Sequence, residues 1–394
     1  MLCQTRETAL PVRRRLAVTE LTLTSFRSYA HAELRTGNGP VVLTGPNGAG
    51  KTNILDAISL LSPGRGLRGA KLSEHIRKAP QAAVRDVLWT VRAQISRDGE
   101  TYEIGTGLAA GVDGGEKRLV HLNGAPAQSS TDLADIIQMV WLTPSMDRLF
   151  SESASGRRRF LDRLVLGMDP AHARRTLRYE HAMRERARLL KSGPRDPGWL
   201  DGLEKEMAEA GIEIARARAE TVARLNEALA GRGQAGAFPC AQLALAGDTD
   251  TLLAEHGDDA TRMLAQAFAR ARLRDAEARR TTLGPHLSDL TARHAEKRMD
   301  ARDCSTGEQK ALLISIVLAD AWELARMRGG HAPVLLFDEI AAHLDARRRA
   351  ALCDEIVALE TQAWLTGTDL ALFESLSGRA DIFTIDAGQF VRQE

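Results

Sequence analysis

The sequence has no cysteine pair. Cys3, Cys240, Cys304 and Cys353 are scattered without any C-x-x-C spacing, which argues against a zinc site or a disulfide framework and fits a reducing cytosol. Nor is there a strong charge of one sign: 53 Lys+Arg against 52 Asp+Glu leave a net +1. Any surface for an acidic partner must therefore be local. Long hydrophobic runs are missing too. The longest, Ala311–Ala319, is followed by Asp320 and is too short to span a bilayer. Arg6, Glu7 and Arg13–Arg15 have no apolar core between them, unlike a signal peptide. No internal repeat or low-complexity tract is found. These absences lead to the expectation of a soluble, cytoplasmic protein, and 394 residues allow two or three units with cores of their own.

What is present is organised around Gly45–Thr52, which reads GPNGAGKT and fits the phosphate-binding loop G-x-x-x-x-G-K-[ST]. Gly45, Gly48 and Gly50 let the backbone turn tightly with its N–H groups aimed at an anion. Pro46, Asn47, Ala49 and Asn53 complete the cradle. Lys51 brings a positive charge to the β- and γ-phosphates, and the Thr52 hydroxyl can ligate Mg²⁺. Pro40–Leu43 reads as a buried strand before the loop. Asn53–Leu61 reads as an apolar helix after it, with its N-terminus facing the phosphates.

The matching acids come late in the chain. Val334–Glu339 (VLLFDE) reads as a buried strand ending in Asp338, which can hold Mg²⁺, and Glu339, placed to polarise the attacking water. Between the two motifs the composition shifts. Ahead of the loop Leu16–Phe26 alternates as a half-buried strand, and after it Val84 to about Asn123 is strand-like with a Gly111–Gly115 turn, an antiparallel region attached to the nucleotide core. Ile136–Leu142 reads as a further strand. From Ser151 to Lys191 the chain is basic and Gly156–Lys191 helical. After a loop with Gly193, Pro194, Pro197 and Gly198, a second helix runs from Trp199 to about Leu229. Its Leu200, Leu203, Met207, Ala210, Ile214 and Ala217 step as a heptad seam, which suits either an antiparallel hairpin or two ordinary packed helices. Phe238–Leu245 suggests a strand and Thr249–Arg280 a helix, with arginines 270, 272, 274, 279 and 280 towards its end. Core-like sequence returns after Gly284-Pro285-His286, with strands at Trp364–Thr366 and Ile382–Ile385. The expected domains are residues 1–148 (ATPase head with the β-region), 149–282 (helical arm) and 283–394 (the rest of the head).

Ser305-Thr306-Gly307-Glu308-Gln309-Lys310 directly precedes a helix. Ser305 reads as its N-cap, and Ser305 with Glu308 also fits a capping box. Free N–H groups there form an anion site. Because the chain already has one phosphate cradle, a second suggests contact with a nucleotide held by another subunit. This is the logic of ABC ATPases, and S-T-G-E-Q resembles their L-S-G-G-Q signature with Glu308 in place of the second glycine. Ala342-His343-Leu344-Asp345 resembles the D-loop.

The resemblance narrows to the RecF family, related to Rad50 and SMC heads. It rests on Leu23–Tyr29 (LTSFRSY), Gly45–Thr52, Trp141–Phe150 (WLTPSMDRLF), Gly156–Asp162 (GRRRFLD), Gly284–Leu290 (GPHLSDL), Ser305–Lys310 and Leu335–Asp345, spread over nearly the whole chain. It implies an α/β fold: an ABC-type P-loop head, mixed sheet with attached antiparallel β-region, and an inserted α-helical arm. It implies ATP and Mg²⁺ as cofactors, with Ser305, Gly307, Gln309 and Asp345 on the partner's nucleotide and Glu339, Lys51 and Asp338 in catalysis. Thr52 and Asp338 would hold the metal. As function it implies a slow, DNA-stimulated ATPase that forms an ATP-dependent homodimer. Such a dimer binds DNA at gaps or single-/double-strand junctions, independently of sequence, and helps load RecA with RecR and RecO in place of single-strand-binding protein. Arg157, Arg158, Arg159, Arg174 and Arg175 make the best local patch for DNA, against the alternative of a solvated helix face. Where transporters carry a switch histidine the chain reads Thr366-Gly367-Thr368-Asp369, leaving Thr368 or Asp369 to contact the γ-phosphate. Gln138 is a Q-loop candidate or only a strand residue. The alternative function is another SMC/Rad50-like or ABC head outside recombinational repair. The stretch between the motifs is too short for a Rad50-length coiled coil, and the basic arm disfavours a transporter ATPase.

Overall fold

A computed structural model describes residues 16–77, 87–110, 116–127, 130–192, 197–232, 236–342, 344–386 and 388–393. Cys3, Arg6, Glu7, Arg13–Arg15, the Gly111–Gly115 turn, Gly193, Pro194 and His343 lie outside the described residues. The chain divides into two compact units, Met1–Met146 with Ala321–Glu394, and Asp147–Asp320.

The first unit holds two sheets. One has the strand order Gln389–Gln393, Asp381–Asp386, Val41–Thr44, Ala363–Thr366, Val334–Phe337, Met139–Leu142. All its pairs are parallel except the terminal hairpin. Continuous apolar runs produce it: VVLT, VLLF and AWLT are buried at every position, as strands covered on both faces must be. The register sets Phe337 opposite Leu365 and Thr366 opposite Leu43. The carboxyl ends therefore line up, where open parallel sheets bind ligands. The other sheet is antiparallel throughout and runs Tyr29–Arg35, Leu16–Phe26, Val87–Arg97, Glu100–Ala110, Glu116–Leu122, Ala125–Pro126. Leu21, Leu23, Trp89, Val91 and Ile104 share one core cluster with Ile54 and Ile58 of the helix Lys51–Ser59. Gln362, fully buried, accepts from Val18 N (2.8 Å) and Trp364 Nε1 (2.9 Å) and donates to Val18 O (2.9 Å). One amide thus fastens the two sheets together, its polar atoms satisfied as burial requires.

The second unit is mainly helical. His172–Ser192 and Pro197–Gly231 form an antiparallel hairpin: Arg186 meets Glu204 at one level and Arg178 meets Glu213 further along. Met207, Ala210, Ile214 and Ala217 of the heptad seam are buried, so the periodicity faces the core. Around the hairpin lie Ala154–Met168, Asp248–His256, Ala260–Arg270 and Arg272–Ala278. A small antiparallel sheet orders Met299–Asp300, Asp289–His294, Ala241–Ala246.

Several boundaries differ from expectation. The helix expected over Gly156–Lys191 breaks at Asp169, which is extended (φ −133°, ψ 94°) before Pro170, since proline disfavours the helical conformation in its predecessor. The helix expected over Thr249–Arg280 is three segments, the first ending where Gly257 takes φ 51°. The arm was expected to end at residue 282, but the second unit runs on to Asp320. The reason is strand pairing: Asp289–His294 hydrogen-bonds along Ala241–Ala246.

Candidate nucleotide site

Gly45, Gly48 and Gly50 have φ of 136°, 84° and 110°, a region open to glycine and strained for other residues. Space also demands glycine. A Cβ on Gly45 would lie 2.3 Å from Ile385 O, and one on Gly50 would lie 2.5 Å from Tyr29 Oη. Lys51 Nζ donates to Gly45 O (2.6 Å) and Pro46 O (2.9 Å), folding its charge across the loop. Burial pulls the Lys51 ammonium below its usual value, while Glu339 and Asp338 push it back up. Asn47, Gly48, Gly50, Lys51, Thr52, Asn53, Arg68 and Glu339 line a cavity of about 210 Å³.

The F-R-S-Y segment supports this loop from below. Tyr29 Oη donates to Gly50 O (3.2 Å), Ser28 Oγ accepts from Asn53 Nδ2 (2.9 Å), and Arg27 Nε donates to Asp56 Oδ2 (2.6 Å). Asp56 is fully buried on the phosphate-loop helix. Burial raises its carboxyl pKa, but His75 and Arg27 outweigh that, and the net shift is downward. Phe26 stacks on His75, ring centroids 5.3 Å apart.

The acids arrive at the end of the neighbouring strand. Thr52 Oγ1 donates to Asp338 Oδ1 (2.9 Å) and Oδ2 (3.1 Å). Thr366 Oγ1 donates to Asp338 Oδ1 (2.8 Å) and accepts from Glu339 N (2.8 Å). Thr366 is thus a site residue that sequence reasoning missed, because it looks like the last residue of a strand. Arg68 was missed as well; it donates to Asn53 Oδ1 (3.2 Å). Glu339 takes φ 50°, a strained turn of the kind concentrated at functional sites. A hydroxyl beside one carboxylate suits Mg²⁺, which keeps waters and substrate oxygens in its shell. No group of three or more His, Cys, Asp or Glu side chains suited to a metal occurs among the described residues.

Two other candidates have backbone partners. Gln138 O accepts from Val334 N (2.8 Å), which puts it at the amino ends of these strands, opposite the acids. Asp369 caps the following turn by accepting from Ala371 N (2.9 Å).

In the second unit Ser305 and Glu308 form a full capping box. Glu308 Oε2 accepts from Ser305 N and Oγ (both 3.0 Å), and Glu308 N donates to Ser305 Oγ (3.4 Å). Lys297 pairs with the same carboxylate. Those partners, Lys297 first, hold Glu308 at about 2. Ser305 is exposed and Gly307 half-buried. Gln309 is buried: its Oε1 accepts from Ser151 Oγ (2.9 Å) and its Nε2 donates to Cys304 O (2.9 Å). In the first unit Asp345 caps the helix Ala346–Ala358 by accepting from Arg348 N (2.8 Å).

The expected DNA arginines differ in their freedom. Arg157 grips Asp289 with Nε (2.8 Å) and Nη2 (2.7 Å). Arg158 donates to Ser288 O (2.8 Å). Arg175 pairs with Asp169 and Glu213. Arg159 and Arg174 are exposed. The G-R-R-R-F-L-D and G-P-H-x-x-D-L motifs are therefore two halves of one lock. Arg218 joins them by binding Asp162 (2.8 Å) and donating to Pro285 O (2.6 Å).

Comparison with known proteins agrees with this architecture. The model of the RecF/RecN/SMC N terminal domain matches residues 17–385. The DNA replication and repair protein RecF of Agrobacterium fabrum (strain C58 / ATCC 33970) is 50% identical over 374 residues, covering 95% of this chain and 98% of the relative. Among solved structures, the recombination mediator protein RecF-ATPrS of the RecFOR pathway superposes with TM-score 0.83 at 22% identity, covering 97% of this chain and 99% of that one. The Smc head domain from Pyrococcus furiosus bound to the C-terminal domain of ScpA gives 0.53 at 18%, covering 96% of each. The fold is the SMC/RecF ATPase head, and the chain belongs to the RecF family.

Proposed function

We propose that the chain is an ATP-dependent DNA-binding recombination mediator. One arrangement carries the reading: Thr52, Asp338, Thr366 and Glu339 meet at the mouth of a glycine cradle that already holds a lysine. On this reading the N–H groups of the loop and Lys51 bind the β- and γ-phosphates of ATP. Lys51 leaves the carbonyls of Gly45 and Pro46 to do so. Thr52 and Asp338 are the residues that would hold Mg²⁺, which when bound neutralises phosphate charge. Thr366 fixes Asp338 and the Glu339 backbone, so that the Glu339 carboxylate can orient and polarise the attacking water. A catalytic acid makes the chain a hydrolase; turnover is slow and stimulated by DNA.

Ser305 and Gly307 reach the γ-phosphate of a nucleotide bound by a second copy, with Gln309 and Asp345 shaping that surface. ATP binding thereby favours a head-to-tail dimer, and hydrolysis releases it, a population shift. The name carried by the RecF relatives, DNA replication and repair, supports a repair role. In it the dimer binds DNA at gaps and junctions through phosphate contacts, from Arg159 and Arg174 among others, and cooperates with RecR and RecO to load RecA where single-strand-binding protein sits. The test is the solution mass of Glu339→Gln with and without ATP, repeated with gapped duplex. A monomer-to-dimer shift with ATP, and DNA bound by the dimer, is the expected result. A mass that stays monomeric at saturating ATP would overturn the role of Ser305 in a second subunit.

A further inference from the structure

The arginines at the end of the arm's last helices are of two kinds. Arg272 is drawn inward to Glu204 (2.6 Å) and to Asp201. Beside it Arg186, fully buried, binds Glu204 (2.9 Å) and Asp275 (2.7 Å). Asp275 also accepts from Thr282 N (3.0 Å). This network fastens the segment from Arg270 to Thr282 onto the hairpin. Arg270, Arg274, Arg279 and Arg280 instead face solvent, and no carboxylate lies within ion-pair distance of any of them among the described residues.

These four residues fall close together along the chain, between positions 270 and 280. Ala271, between Ala260–Arg270 and Arg272–Ala278, is itself in the helical region (φ −84°, ψ −6°), so Arg270 and Arg274 stand one turn apart on one face. The helix ends with Arg279 at φ 54°. Arg279 N donates to Ala276 O (3.3 Å) and Arg280 N to Asp275 O (3.2 Å), a closure that usually takes glycine. Leu273, 82% exposed, lies between the two helical arginines. The only acid exposed in this segment is Glu277.

We propose that Arg270, Arg274, Arg279 and Arg280 form a nucleic-acid surface that grips the phosphate backbone without reading sequence. The inference rests on the DNA-binding reading above and moves its main contact away from Arg157, Arg158 and Arg175, whose guanidiniums are occupied by this chain's own acceptors. A guanidinium already paired must give up that partner to bind a phosphate, whereas an unpaired one on an anchored helix need not. Several fixed, unpaired cations suit a polyanion, and four of them suit successive phosphates better than a single acidic side chain.

The test uses the full-length chain carrying Arg270→Ala, Arg274→Ala, Arg279→Gly and Arg280→Ala together, glycine being chosen where φ is positive. Anisotropy of labelled gapped duplex and of the matching single strand is titrated across salt with ATP. Solution mass with ATP and circular dichroism check that the head and the fold are intact. Affinity is expected to fall at least about tenfold, with the slope of log K against log salt shallower by about 3 to 4 for duplex. An unchanged slope in a folded variant would overturn the proposal and leave the DNA reading standing. A wild-type chain that binds neither nucleic acid removes both. If the variant instead loses binding to anionic phospholipid vesicles and keeps DNA, the patch is a lipid surface and the proposal is wrong.

Discussion

Thr366 Oγ1 stands between the two acids of the site, donating to Asp338 and accepting the Glu339 backbone N–H, each at 2.8 Å. Replacing it with valine keeps the shape and removes both bonds. ATP hydrolysis by Thr366→Val should fall by about 10- to 100-fold, as when a partner that orients a metal ligand is lost. ATP affinity should change much less, and Thr366→Ser should restore most of the rate. Phosphate-release kinetics with a nucleotide titration check both; an equal loss of affinity and rate would assign Thr366 to the cradle instead.

The phosphate loop tolerates no side chain at its first glycine. Gly45→Ala puts a Cβ against Ile385 O, a backbone atom, at φ 136°. Strain of this kind costs about 1–3 kcal/mol, and the loop must shift to relieve it. Weaker ATP binding together with a lower unfolding midpoint is the expected pair of results, read by calorimetry and denaturant titration.

Stability at the capping box should depend on acid pH in one direction. Glu308 titrates at about 2 in the folded chain against 4.5 for an ordinary glutamate, so its carboxylate is favoured by folding. The contribution is full above about 4.5 and disappears as pH falls towards 2. The side chain is near the surface, which limits the effect to about 1 kcal/mol. Wild type should exceed Glu308→Gln in urea midpoint at pH 7, and the gap should narrow by pH 3. A gap that widens in acid contradicts this assignment.

Arg186 is completely buried between Glu204 and Asp275. Arg186→Ala takes the buried cation away from Asp275 and leaves Glu204 with Arg272 alone, at a cost of about 3–5 kcal/mol. Chemical unfolding should show this loss, with Arg186→Met less harmful if Glu204 and Asp275 are made neutral with it.

Arg157 and Asp289 should couple. A double-mutant cycle with alanine at each is expected to give an interaction energy of about 0.5–3 kcal/mol in unfolding experiments. Independent losses would mean that the bidentate pair contributes no specific energy.

The parts of the site that could be read from sequence are those whose chemistry is local. GPNGAGKT needs its glycines where φ is positive, and VVLT, VLLF and AWLT announce buried strands by near-continuous apolar runs that are polar only at a closing threonine. Ser305 and Glu308 are three residues apart, so their capping box could be weighed directly against a signature. Contacts between distant segments could not be read. Nothing in Arg157 marks it as the partner of Asp289, 132 residues later, and it therefore looked available for DNA. The same holds for Thr366, whose role exists only because the parallel register brings its strand beside Phe337-Asp338.

The lock between Ala154–Met168 and the Gly284–Asp289 turn also constrains how this arm can be inherited or transplanted. Arg157 with Asp289, and Arg218 with both Asp162 and Pro285, make three separate stretches of chain a single transferable part. A chimaera that exchanges only the helical hairpin would cut both bonds of Arg218 and leave Arg157 with Asp289 in place. Grafting between relatives should succeed when the crossover points lie outside residues 154 and 294, so that the gene segments travel together.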